Sequence, residues 1–111
     1  MNREIRTLEP PATVRRIRTT EASAHLGQRV RLAGWLHRLR RLGAINFLVL
    51  RDGFGLFQAV LDDEQELAQL DGLQPESVIE VDGRVVAESQ APGGLELHEC
   101  RVRVLATVTE T

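Results

Sequence analysis

The chain has no lysine and no tyrosine, and only one cysteine and one tryptophan in 111 residues. A lone cysteine, Cys100, excludes an internal disulfide and any zinc site built on paired thiolates. It fits a reducing, cytoplasmic setting. No apolar run is long enough to cross a bilayer, and the N-terminus lacks the apolar stretch of a secretion signal, so no membrane partner is expected. The three histidines, His25, His37 and His98, show no metal-ligand spacing and no nucleophile partner, and read as surface or packing residues. A phosphate-binding loop, a paired acid and base, and a nucleophile constellation are all missing. The expectation is a chain with no catalysis, metal or cofactor of its own.

What is present is enough apolar residue, 42%, for a packed core, and a concentration of arginine. The formal net charge of −2 hides an asymmetry. Residues 1–51 hold eleven arginines and three acids, whereas residues 52–111 hold three arginines and thirteen acids. Guanidinium groups fork onto phosphates and stack on bases, so the basic half could contact nucleic acid. An arginine-rich genome would explain the missing lysine by itself. It would not explain the clustering before Arg51.

The pattern along the chain predicts a small β protein. Residues 1–16, interrupted by Pro10-Pro11, read as a flexible N-terminal extension. Thr19 or Thr20 can cap a short helix over "EASAHL", ended by Gly27. Five strands follow in "QRVRLAGWLHRLR", "AINFLVLRD", "LFQAVLD", "SVIEVDGRVVAES" and "LELHECRVRVLATV". Gly34 in mid-strand predicts a bulge or a sharp coil. Asp52-Gly53 predicts a hairpin, with Arg51 and Asp52 as a local ion pair shaping it. "DDEQELAQLDGL" is the one helix candidate, capped by Asp62 or Asp63 with Gln65 or Glu66 closing a capping box. Five strands with a helix between the third and fourth match the plan of the oligonucleotide/oligosaccharide-binding (OB) Greek-key barrel, a mainly all-β fold over residues 17–108. Another small barrel, or an open sheet with one helix, is the alternative.

Alternation puts Asn46, Leu48 and Leu50 on one side of the second strand, and Phe47, Val49 and Arg51 on the other. Two readings are then even: Phe47 outside, beside Arg51, or Phe47 in the core. Gln58 shares a side with Leu56 and Val60. Its amide can read a base edge or simply be solvated. Arg38, Arg40 and Arg41 can contact phosphates or stand as solvated loop charges. Glu96 can accept from the N1–H and N2–H₂ edge of a guanine, or serve as a cross-strand charge. Trp35 can stack on a base or pack against the loops.

Gly27-Gln28, Gly34-Trp35, Arg40, Leu42-Gly43, Phe47, Arg51-Asp52, Gly55 and Gln58, in this order and spacing, resemble the N-terminal anticodon-binding domain of aspartyl- and asparaginyl-tRNA synthetases. Ala91-Pro92-Gly93-Gly94 followed by Glu96-Leu97 is similar to the asparaginyl and archaeal-like aspartyl enzymes. The likeness covers about residues 17–106. It implies binding of the splayed anticodon loop of tRNA-Asp or tRNA-Asn. Phe47 would stack on an anticodon base, Gln58 would read the central uridine, and Glu96 the first base. Arg40, with Arg38, Arg41 and Arg51 beside it, would hold the RNA. It implies too that residues 109–111 lead towards a class II catalytic domain that this sequence does not contain. ATP and magnesium would belong there, and the parent ligase would be a homodimer. Two other classes stay in view: a stand-alone or regulatory barrel for single-stranded nucleic acid, and a barrel that docks protein.

Overall fold

The computed structural model describes residues 14–107. Its strands are β1 (Arg15–Arg16), β2 (Arg29–Leu42), β3 (Ile45–Arg51), β4 (Leu56–Leu61), β5 (Val78–Ala87) and β6 (Leu95–Ala106), with one α-helix among the described residues, α1 (Glu64–Ala68), between β4 and β5. The sheet order is β1-β2-β3-β4-β6-β5, and β5 pairs back onto β2. The sheet is thus closed, and the alternating apolar residues of every long strand have one interior to fill. Leu32, Leu48, Leu50, Leu61, Ile79 and Leu97 are all fully buried there.

Closure depends on β2. Its first half, Arg29 to Trp35, pairs with β5, and its second half, Trp35 to Leu42, pairs with β3. One strand can serve two neighbours only by coiling sharply. Gly34 sits at the changeover, where a Cβ would lie 2.2 Å from the carbonyl oxygen of Arg51. The mid-strand glycine therefore marks a close approach of two backbones. The register shift lies further on, between Leu36 and Arg38.

Three local expectations are corrected. The sheet has six strands, because Arg15 and Arg16 pair in parallel with Val30 and Arg31. These two residues lie inside the stretch read as an extension, while residues 1–13 and the tail at 109–111 fall outside the described residues. The segment Thr19–His25 is a 3₁₀ helix capped by Arg18, not by a threonine. The Arg18 backbone amide donates to Glu21 Oε1 at 2.7 Å, while the Thr19 hydroxyl donates to Asp52 Oδ1 at 2.9 Å. Finally, α1 is five residues long. Asp63 caps it by accepting from the Gln65 amide at 2.8 Å. Glu66 closes no capping box and instead accepts from the Val102 amide at 2.6 Å, tying the helix to β6. The chain then turns, and Leu70 drops into the core.

Candidate nucleic-acid interface

The register builds the outer face residue by residue. In antiparallel pairs, partners project to the same side. Arg40 opposes Phe47, which opposes Val60. One row along, Arg38 opposes Val49, which opposes Gln58, and Gln58 is aligned with Glu96 on the parallel strand β6. Leu48 and Leu50 point inward and are buried, so Phe47 lies outside the barrel and is half-buried. The Arg40 guanidinium lies 5.8 Å from its ring centroid. A cation held over one part of an aromatic ring leaves a platform with a positive rim.

Arg51, expected beside Phe47, is placed differently. It lies four residues along the same face, about 13 Å away. Its guanidinium sits 5.1 Å from the Trp35 ring centroid and donates to Glu76 at 2.5 Å. The local Arg51–Asp52 pair is not formed. Asp52 instead accepts from the Thr19, Phe54 and Gly55 amides and the Thr19 hydroxyl. Arg41 falls in the other row of β2, opposite buried Asn46, and pairs with Asp71. The structure therefore brings together Arg38, Arg40, Phe47, Gln58 and Glu96. Arg41 is turned away, and Arg51 is engaged at the far end.

Gln58 and Glu96 are polar residues on an outer face, yet only 8% and 5% exposed. They cover one another. Gln58 Nε2 donates to Glu96 Oε1 at 2.8 Å. His98 Nε2 lies 2.7 Å from Glu96 Oε2. An ionised carboxylate only accepts, so this contact needs a proton on His98 Nε2. The same rule turns the nitrogen of the Gln58 amide towards Glu96. Gln58 Oε1 has no partner among the described residues, where no buried side-chain polar atom is unsatisfied, so this oxygen reaches solvent. His98 was read as a surface or packing histidine. The signal that would have found it is Glu96-x-His98, a spacing that puts both side chains on one face of a strand.

Gly93 and Gly94 close the turn that delivers Glu96. Their φ angles are +74° and +80°, a region that residues with a Cβ rarely enter. The Glu88 amide donates to the Gly94 carbonyl at 2.9 Å and fixes the turn. Elsewhere, a groove of about 710 Å³ is lined by Arg16, Arg18, Trp35, Phe54 and Leu105, among others, and includes none of Arg40, Phe47, Gln58 or Glu96. An unstacked base needs a ring to lie on and an edge to meet rather than an enclosed cavity.

Among the described residues, no group of three or more His, Cys, Asp or Glu side chains is placed to hold a metal ion. Burial pushes the Cys100 thiol up to about 12, which favours the protonated thiol over the nucleophilic thiolate at neutral pH. No described helix is long and apolar enough to cross a membrane.

Comparison with known proteins bears on the family and the fold. The tRNA anti-codon family, described as an OB-fold nucleic acid binding domain, matches residues 30–105. An aspartate–tRNA(Asp/Asn) ligase of Methanopyrus kandleri is 43% identical over 84 residues, which is 72% of this chain and 20% of that protein. The enzyme of the same name from Thermus thermophilus is 42% identical over 98 residues, covering 86% of this chain and 21% of that protein. The chain thus spans about a fifth of the length of these curated relatives. The crystal structure of asparaginyl-tRNA synthetase from Pyrococcus horikoshii, complexed with asparaginyl-adenylate, superposes with a TM-score of 0.73 at 34% identity, covering 86% of this chain and 23% of that one.

Proposed function

The chain belongs to the tRNA anti-codon family of OB-fold nucleic acid binding domains, and from that premise we propose that its outer face binds the unstacked anticodon loop of tRNA-Asp or tRNA-Asn. The observation that carries this reading is one juxtaposition. An aromatic ring with an arginine over it stands one row away from a glutamine whose amide nitrogen donates to Glu96.

The chemistry divides among these residues. A base laid on Phe47 gains about 1–3 kcal/mol whatever its identity. Gln58 Oε1 then accepts from a base edge that carries an N–H, as the N3–H of uridine does. Glu96 lies deepest. Each of its oxygens keeps a second lone pair, and a guanine edge would reach it by passing beside His98 or displacing it. Arg38 and Arg40 hold the backbone, and neither has an ion-pair partner among the described residues. For the whole protein, the proposal is a cytoplasmic, homodimeric aspartate– or asparagine–tRNA ligase. Its ATP and magnesium would be handled outside these residues.

The test is titration of an anticodon stem-loop with the Phe47→Ala variant. Affinity should fall about 5- to 150-fold, the equivalent of one lost stack, with the circular dichroism spectrum unchanged. Unchanged affinity would remove Phe47 from the site. Loss of fold would make it a structural residue.

A further inference from the structure

Gln58 alone would be a poor discriminator. A primary amide has a donor end and an acceptor end of nearly the same shape, and a 180° turn about the last side-chain bond exchanges them. A glutamine free to turn can serve uridine, with N3–H as donor, and cytidine, with N3 as acceptor, equally well. Selectivity requires something that forbids one of the two orientations.

We propose that Glu96, itself pinned by His98, is a positioning residue that locks the Gln58 amide with Oε1 outward, so that the site selects a base presenting an N–H at that edge. This rests on the reading of the face as an RNA site, and assigns to Glu96 an effect on a base that it does not touch. A carboxylate has no donor when ionised, so Glu96 Oε1 can be satisfied only by the Nε2 end of Gln58, seen at 2.8 Å. Turning the amide would set two acceptor oxygens against each other between side chains with little exposure to water, Gln58 8% and Glu96 5%. An unmade hydrogen bond costs most where burial prevents water from replacing it.

His98 supplies the second half of the lock. Its Nε2 engages Glu96 Oε2 at 2.7 Å, so the carboxylate is held at both oxygens and cannot rotate to release Gln58. The parallel register is the reason that the lock exists at all. Gln58 on β4 and Glu96 on β6 are direct partners in the short parallel pairing of these strands, and His98 follows two residues along β6 on the same side.

Glu96→Gln tests this with almost no change of shape. A glutamine at position 96 offers either end to Gln58, so both orientations of Gln58 become available. Two stem-loops that differ only in a U or a C at the middle anticodon position are titrated against the 111-residue chain. The unmodified protein should prefer U by about tenfold or more, the discrimination expected of a well-placed hydrogen-bonding pair. In E96Q the preference should collapse to within about threefold, mainly by tighter binding of the C loop. Phe47→Ala should weaken both loops alike and keep the ratio, because stacking tolerates any base.

A full U preference in E96Q overturns the lock and leaves the RNA reading standing. An unmodified protein that binds neither loop overturns the RNA reading and the lock with it; one that binds both equally overturns the lock and leaves an RNA site that does not read the middle base. Amide hydrogen exchange in the unmodified protein gives a check that needs no variant. One Gln58 side-chain proton should exchange far more slowly than those of exposed glutamines such as Gln74, and equal rates would overturn the lock directly.

Discussion

Asp52 is where a single side chain decides most. Burial raises its pKa, but hydrogen bonds from the Thr19 amide, the Phe54 amide, the Thr19 hydroxyl and the Gly55 amide outweigh that and hold the carboxyl below its ordinary value. A carboxyl with a depressed folded-state pKa contributes stability that is present above the unfolded value, near about 3.9, and is lost as pH falls through the folded value. Asp52→Asn keeps one acceptor oxygen but sets an amide N–H₂ against the Thr19 N–H. It should cost about 1–2 kcal/mol in urea unfolding at neutral pH, the low end for bonds to a charged group because the site is partly open to water. The gap between the two proteins should narrow as pH is lowered through the carboxylate range. A gap that stays constant with pH would mean that shape, not charge, holds the hairpin. None of this was legible beforehand. Arg51 is adjacent in sequence and of opposite charge, but Thr19 lies 33 residues away, and the sequence carries no mark of that approach. Phe47, by contrast, was legible to the point of a choice, since alternation fixed its companions but not which side was inside. Leu48 and Leu50 settle that by being buried.

At the scale of elements, the long strands could be read because each is an alternating or apolar run bounded by turn residues. The failures lie where the pattern is short. A two-residue strand such as β1 has no period to detect, and α1 spans little more than one turn. Gly34 was visible as an anomaly, but its cause is the arrival of β3, a tertiary event. The structure makes its importance measurable. Gly→Ala at an ordinary φ lowers unfolded-chain entropy and stabilises by about 0.4–1 kcal/mol. At Gly34 the new methyl would sit 2.2 Å from the Arg51 carbonyl oxygen, and backbone cannot swing aside as a side chain can. The clash should win, with a net loss of about 3 kcal/mol, at the upper end for overpacking, and a fall in Tm of more than about 10 °C for a domain of this size. Gly53, with nothing within 4 Å of its added Cβ, is the control. Gly53→Ala should be close to neutral. Equal melting of the two variants would mean that β2 does not depend on a bare backbone at its bend.

At the scale of the whole molecule, the division of charge along the chain becomes a division of surface. The acidic second half supplies carboxylate partners for several other arginines. Arg31 is bidentate to Asp82 at 2.7 and 2.9 Å, Arg103 donates to Glu80 at 2.5 Å, and Arg84 pairs with Glu99. Arg41 and Arg51 are likewise taken up by Asp71 and Glu76. Arg38 and Arg40 are exposed on the face that carries Phe47 and have no such partner among the described residues. Sequence clustering alone could not separate these four, because it counts charges without showing which are already neutralised. Counterion release does separate them. Each phosphate contact with single-stranded RNA should add about 0.7 to the steepness of log K against log salt. Arg38→Ala and Arg40→Ala should each flatten that slope by about this amount in titrations between about 50 and 200 mM salt. Arg41→Ala and Arg51→Ala should leave it near the parent value, since their guanidinium groups would have to give up a carboxylate to gain a phosphate. If all four variants flatten the slope equally, the ion pairs to Asp71 and Glu76 do not persist in the complex, and the RNA extends further over the barrel than the Phe47 face. If none does, phosphates are not what Arg38 and Arg40 hold.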